Sequence, residues 1–144
     1  MRINLLILFF LGIYFQTLAQ NESRAPHTEK GVEEPEDTTL FAYTGEMPKF
    51  QGGGDDVFAN YIQKNIVYPT DAKEKGIQGK VYIQYIIEKD GSVSNVIVVP
   101  GRSLYPSLDQ AAIDVIKNSP KWKPGQNNGQ PVRVKKIAVI AFYL

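Results

Sequence analysis

The chain has 144 residues, 43% of them hydrophobic and 22% charged, which gives room for one ordinary domain and not for two large ones. A net charge of +1 argues against a basic nucleic-acid binder. With no Cys and a single His, His27, the sequence excludes disulfides, a Cys nucleophile and His-based metal clusters.

The N-terminus begins with Met1-Arg2, runs through the apolar stretch Leu5–Phe15, and ends in Gln16-Thr17-Leu18-Ala19. This is the three-part layout of a secretory signal, with Ala19 as the last residue before cleavage. The apolar run is short against the roughly 20 residues of a spanning helix. The alternative is an uncleaved anchor, since Ile3 and Leu18 lengthen the apolar zone. Both readings export the remainder of the chain.

Residues 20–46 carry seven acidic residues (Glu22 to Glu46) against Arg24 and Lys30. They contain few apolar residues, and Pro26, Gly31 and Pro35 interrupt any helix. This segment reads as an acidic, flexible linker, with His27 an exposed member of it. From Met47 the balance reverses to 13 basic and 8 acidic residues, and no acid follows Asp114. A clustered positive end suits anionic partners or plain solubility.

Asp55 is expected to cap a helix over 55–65, on which Val57, Phe58, Tyr61 and Ile62 share a face. Pro69 opens a short helix, 69–75, which Gly76 closes. Val81, Ile83, Tyr85 and Ile87 then alternate with polar neighbours. Asp90-Gly91 makes a two-residue turn into a return strand, 93–99. Such a turn places Tyr85 opposite Val96 and Ile83 opposite Val98, all on the buried face.

Leu108, Ala111, Ala112, Val115 and Ile116 mark a helix over 107–118, with Ser107 and Gln110 as its capping box. A last strand, 131–143, puts Val132, Val134, Ala138, Ile140, Phe142 and Leu144 on one face. Lys136 falls on that same face, which requires a bulge or an edge position there. The expected fold is a two-layer α+β domain over 47–144. Its three-stranded mixed sheet has order 2-1-3, with the helices on one face and the last strand at the edge.

Several motifs resemble those of the TonB C-terminal domain family, in the form common in Bacteroidetes. Tyr68-Pro69-Thr70-Asp71-Ala72 is similar to its Tyr-Pro-x-x-Ala signature, and Gly76-Ile77-Gln78-Gly79-Lys80-Val81 to its Gly-Ile-x-Gly-x-Val segment. Asp90-Gly91 lies in a similar hairpin, Trp122-Lys123-Pro124-Gly125 resembles its Trp-x-Pro-Gly turn, and Pro131-Val132-Arg133-Val134 the start of its last strand. Met47–Gly53 is similar to a usual lead-in, so the resemblance covers about residues 47–144.

The resemblance implies a periplasmic protein-binding domain. It would engage the N-terminal box of TonB-dependent outer-membrane transporters by β-strand addition, in support of energised uptake of siderophores, cobalamin or glycans. The receiving edge would be Val132, Arg133, Val134, Lys135, Lys136, Ile137 and Ala138, with Asn65, Ile66, Val67 and Tyr68 near the box. Pro69, Ala72, Gly76, Gly79, Asp90, Gly91, Trp122, Pro124 and Gly125 would be structural motif residues. An uncleaved N-terminus would add inner-membrane anchoring and the ExbB–ExbD motor as partner. Here the chain departs from the pattern: its N-terminal segment has no His, and residues 20–46 contain only two Pro. The alternative function is a free exported scaffold domain that forms homodimers or binds envelope components.

No cofactor, metal or catalytic site is expected. Gly52-Gly53-Gly54 is not followed by Lys-Ser/Thr, as a phosphate loop would be. Asp55-Asp56 suits a helix dipole. Ser103 lacks the second Gly of a nucleophile elbow and any accompanying base. Trp122 reads as an anchor for its turn rather than a stacking platform. Tyr61, Tyr68, Tyr82 and Tyr85 read as packing residues.

Overall fold

A computed structural model describes residues 39–144. The expectations for the signal or anchor, for His27 and for most of the acidic linker lie outside the described residues. In chain order the elements are β1 (Leu40–Phe41), α1 (Asp55–Asn65), α2 (Thr70–Glu74), β2 (Gly79–Ile87) and β3 (Val93–Val98). They are followed by α3 (Pro106–Lys117), β4 (Gly125–Asn127) and β5 (Gln130–Phe142).

The three long strands take the expected order: β5 and β3 flank β2, each antiparallel to it. The sheet has five strands rather than three. β1 pairs parallel with β5, Leu40 opposite Arg133 and Phe41 opposite Val134. β4 pairs antiparallel with the start of β5 through an Asn128-Gly129 turn. Both turn residues have positive φ, +50° and +77°, the backbone of a type I′ hairpin. Pro131 stands opposite Gln126, between the outer pairs of that hairpin, where no N–H is required. The fold thus begins before residue 47. Thr44 is buried, its hydroxyl donating to Glu46 C=O at 2.6 Å, and Glu46 bridges to Gln126.

The hairpin register corrects the two-residue turn while keeping its consequence. Glu88 N–H donates to Ser92 C=O, so the loop holds three residues, Lys89-Asp90-Gly91. That extra residue would swap the faces of β3. A bulge restores them: Ile86 pairs with Ser94, but Gln84 pairs with Ile97, and Asn95 takes φ +46°. Ile83 therefore still opposes Val98, and Val96 is buried beside Tyr85.

One sheet face is covered by α1 and α3. Phe58 and Ile62 from α1, and Leu108, Ala112, Val115 and Ile116 from α3, pack on Val81, Ile83, Tyr85, Ile87, Ile140 and Phe142. An aromatic cluster fills one end. The Phe50 ring lies 4.9 Å from Phe58 and 5.0 Å from Trp122, and Phe58 lies 4.7 Å from Trp122. Phe50 is fully buried because its lead-in is stitched to the turn before β4: Lys49 and Lys123 exchange two backbone hydrogen bonds.

Both expected side-chain N-caps differ from the structure. Gly54, not Asp55, is the N-cap of α1, and the Asp55 carboxylate instead accepts from Lys136 Nζ at 2.6 Å. Tyr105 is the N-cap of α3, with Pro106 in its first turn, so Ser107 sits too far inside to cap and its hydroxyl has no partner. Asp109 does the equivalent work, reaching back to accept from Leu104 N–H at 3.1 Å and from the Ser103 hydroxyl. Ser103 is thereby a structural hydrogen-bond donor. Leu144 lies past the end of β5 and is exposed rather than core-facing.

The outer sheet face carries one partly buried ion pair. Arg133 Nε donates to Glu88 Oε2 at 2.7 Å and Nη2 to Oε1 at 3.0 Å, while the Ser94 hydroxyl also donates to Glu88. These bonds, Arg133 foremost, hold the Glu88 carboxyl below its ordinary value of 4.5 against the opposing effect of burial. A depressed folded pKa gives stability that is present above the unfolded value and lost as pH falls through the folded one. Thermal stability is therefore expected to drop on acidification below about pH 4.5. Glu88→Gln should cost about 1–3 kcal/mol at neutral pH and flatten this part of the acid dependence. Melting curves of both proteins at neutral and acid pH check it.

Candidate functional site

The main-chain directions along β5 follow from the ladder. Tyr82 C=O accepts from Val99 N–H, and Glu88 N–H donates to Ser92. Even-numbered residues of β2 thus pair toward β3, and odd-numbered ones toward β5. Their β5 partners are the even-numbered residues, from Val134 opposite Ile87 to Phe142 opposite Gly79. Odd-numbered residues of β5 consequently aim N–H and C=O at the outer edge.

That edge is divided. Val132 pairs with Gly125, on the side of β5 that β2 occupies, so β4 continues the line of β2 and leaves the outer edge alone. β1 covers the outer side at Arg133 and Val134. Beyond it, Lys135 to Phe142 has no further strand beside it among the described residues. Of the seven residues expected to receive a partner, Val132, Arg133 and Val134 are thus already paired within the chain. Lys135 stands at the junction with Phe41, and Lys136, Ile137 and Ala138 lie along the open stretch, whose outward main-chain groups are those of Ile137, Val139 and Ala141.

A groove of about 300 Å³ follows this open stretch. β5 residues Ile137 to Ala141 form one side, and Phe58, Ala59, Ile62, Gln63 and Ile66 form the other, with Asp55 at one end. Its walls are mostly apolar because the same α1 face that packs on the core overhangs the sheet edge. On the outer face Ile137 and Val139 are 56% and 52% exposed. An incoming strand would therefore meet apolar surface on both of its faces.

Lys136 needs no bulge. It pairs regularly with Tyr85, and its aliphatic stem stays inside, leaving the side chain only 9% exposed. Its ammonium lies 5.6 Å from the centre of the Trp122 ring and bonds to Asp55, which is 76% exposed. This position beside the groove lets a core-facing lysine run its stem along apolar surface and bring its ammonium to an exposed carboxylate. The guanidinium of Arg133 is engaged by Glu88, so Arg133 offers less free charge than its sequence suggested.

The segment before Pro69 is split. Ile66 lines the β5 groove, whereas Asn65 and Val67 line a second depression against Gln110, Ala111 and Asp114 of α3. Tyr68 packs edge-on to Phe142 at 5.5 Å, and its hydroxyl donates to Ile77 C=O. Tyr61, Tyr85 and Trp122 lie in or against the core, but Tyr82 faces outward under the Arg102 guanidinium, 5.2 Å away.

The motif residues shape the frame around the edge. Pro69 is the N-cap of α2, Ala72 is fully buried, and Gly76 follows that helix. Gly79 starts β2 against Leu104, and Pro124-Gly125 turns the chain from Trp122 into β4. The Asp90 carboxylate accepts from Ser92 N–H at 2.9 Å and from Lys121 Nζ at 3.1 Å. Gly91 C=O accepts from Trp122 N–H at 2.8 Å.

Sequence reasoning missed Phe58, Ala59, Ile62, Val139 and Ala141 as parts of the groove, assigning them to core or strand. It also missed β4, although Asn128-Gly129 is a strong hairpin signal. Among the described residues no group of His, Asp and Glu is arranged to hold a metal ion, and no helix is long and apolar enough to cross a membrane.

Residues 64–144 match the family model described as Gram-negative bacterial TonB protein C-terminal. No curated protein matches the chain. Among solved structures, the chain is similar to the NMR solution structure of Helicobacter pylori TonB-CTD (residues 194–285). The identity is 28%, with TM-score 0.45, over 60% of this chain and 89% of that one. A longer form (residues 179–285) gives 29% and 0.44, over 59% and 75%. The solution structure of Pseudomonas aeruginosa TonB CTD gives 24% and 0.37, over 54% and 77%.

Proposed function

The chain belongs to the TonB C-terminal family, and from that premise we propose that it is a periplasmic strand-accepting module for TonB-dependent outer-membrane transporters. The N-terminal box of the transporter adds as a further strand to the edge of β5, and the contact supports energised uptake.

One observation carries this reading: beyond β1, β5 presents outward main chain from Ile137 to Ala141 with no strand beside it among the described residues, directly along an apolar groove. Strand addition draws its affinity from main-chain bonds and its selectivity from flanking pockets. Each bond contributes roughly 0.5–1.5 kcal/mol net. Five of them give about 3–7 kcal/mol before ordering costs, which places the contact in the millimolar-to-micromolar range. A strand pulled along its length loads these bonds together, so a weak complex still transmits force.

Titration of the isotopically labelled chain with a transporter-box peptide tests the proposal. Amide signals of Ile137, Val139 and Ala141 should shift together with those of Ala59, Ile62 and Ile66. Val139→Pro removes one outward N–H while leaving the pairing with β2 intact, since edge strands tolerate proline. It should weaken the peptide by about tenfold, near 1.4 kcal/mol. Unchanged spectra at millimolar peptide, or shifts confined to other surfaces, would sink the reading.

A further inference from the structure

The edge that accepts a partner is shared with the chain's own β1, and this has a regulatory consequence. Leu40 and Phe41 pair with Arg133 and Val134 on the same outer side of β5 that is open beyond Lys135. In a parallel ladder a residue bridges the two neighbours of its opposite number. Phe41, opposite Val134, therefore lies between the outward groups of Arg133 and Lys135. A partner strand running along β5 from Ala141 has space as far as Ile137 and meets Phe41 at Lys135.

We infer that β1 is a displaceable strand that competes with the docked partner for the head of the edge, and so sets how far the partner zips along β5. This rests on the strand-docking reading above. β1 has the properties of an element built to leave. It is two residues long and parallel, the weaker pairing geometry. Leu40 is 42% exposed and Phe41 only half-buried.

Immediately downstream the chain is pinned. Thr44 is buried, Glu46 and Gln126 exchange two backbone hydrogen bonds, and Lys49 and Lys123 exchange two more. Ala42 and Tyr43 lie between this pairing and the pin, and Tyr43 faces solvent. β1 can thus peel away by local opening without loss of the core. The vacated edge stays in place, because Arg133 is held on the outer sheet face by Glu88 of the β2–β3 hairpin.

The test compares two box peptides on the full chain. A short one matches residues 137–141, and a long one is extended by about six residues at each end to reach past Arg133. Phe41→Pro removes the Phe41 N–H from the ladder. It should raise the affinity of the long peptide by about tenfold and leave that of the short peptide unchanged. On the wild-type chain the long peptide, and not the short one, should shift the Phe41 amide toward an unpaired position and perturb that of Leu40 beside it. An unchanged long-to-short ratio in the variant, or long-peptide binding with β1 signals unmoved, overturns the inference while leaving strand docking intact. If neither peptide binds, the docking reading itself fails and this inference with it. Should the variant lose its hairpin signals, the wild-type amide shifts alone decide.

Discussion

Alanine at Gly91 should destabilise the domain by about 2–5 kcal/mol, lowering the melting temperature by roughly 10–30 °C. Gly91 has φ +82°, where a side chain costs about 1–2 kcal/mol. The larger difficulty is room. A Cβ there would lie 1.9 Å from the Trp122 carbonyl oxygen, which is backbone and has no rotamer to change. The turn and the Trp122 segment would have to part, straining the Trp122 N–H to Gly91 C=O bond and exposing the aromatic cluster behind it. Gly101→Ala is the matched control. It has φ +75° and nothing within 4 Å of the added carbon, so it should cost only the conformational part, about 1–2 kcal/mol. Denaturant unfolding of the two variants separates backbone strain from close approach. Equal losses would show that the contact with Trp122 is unimportant.

Trp122→Ala should cost about 3–5 kcal/mol, and Trp122→Phe about 1–2 kcal/mol. Trp122 is buried among Phe50, Phe58 and Tyr85, with centroid distances of 5.0, 4.7 and 6.2 Å. Truncation to alanine leaves a cavity that three rigid rings and two stitched backbones cannot close. Phenylalanine keeps most of that packing. It also forfeits no hydrogen bond, because the indole Nε1 is buried without a partner. The Ala variant has a second effect on the docking edge. Lys136 runs over the Trp122 ring to Asp55, and losing the ring removes the support of that stem at the mouth of the groove. Urea unfolding curves give the two stabilities. A loss for Trp122→Phe as large as for Trp122→Ala would contradict the packing account.

The helices were legible because each needed only one periodic face. Val57, Phe58, Tyr61 and Ile62 mark α1, and Leu108 to Ile116 mark α3, with ends within a residue of those found. Their caps were less legible. A side chain that bonds elsewhere in three dimensions, as Asp55 does to Lys136, looks the same in sequence as one that caps its own helix. The β2–β3 hairpin was legible in its outcome but not in its path, since one extra turn residue and one bulged residue cancel.

Composition and alternation were by themselves enough to establish an α+β sandwich of one sheet and its helices, with β5 at the flank. Local periodicity encodes which face of an element is apolar, and three apolar-faced strands have few ways to share a core. Only the tertiary structure decided how much of the β5 edge is open. That question turns on pairings with β1 and β4, whose residues (Leu40–Phe41 and Gly125–Asn127) are too few to show any period. Their partners lie up to some ninety positions away along the chain. Backbone groups carry no residue identity, so which amides remain unpaired is a property of the folded arrangement and not of any one segment.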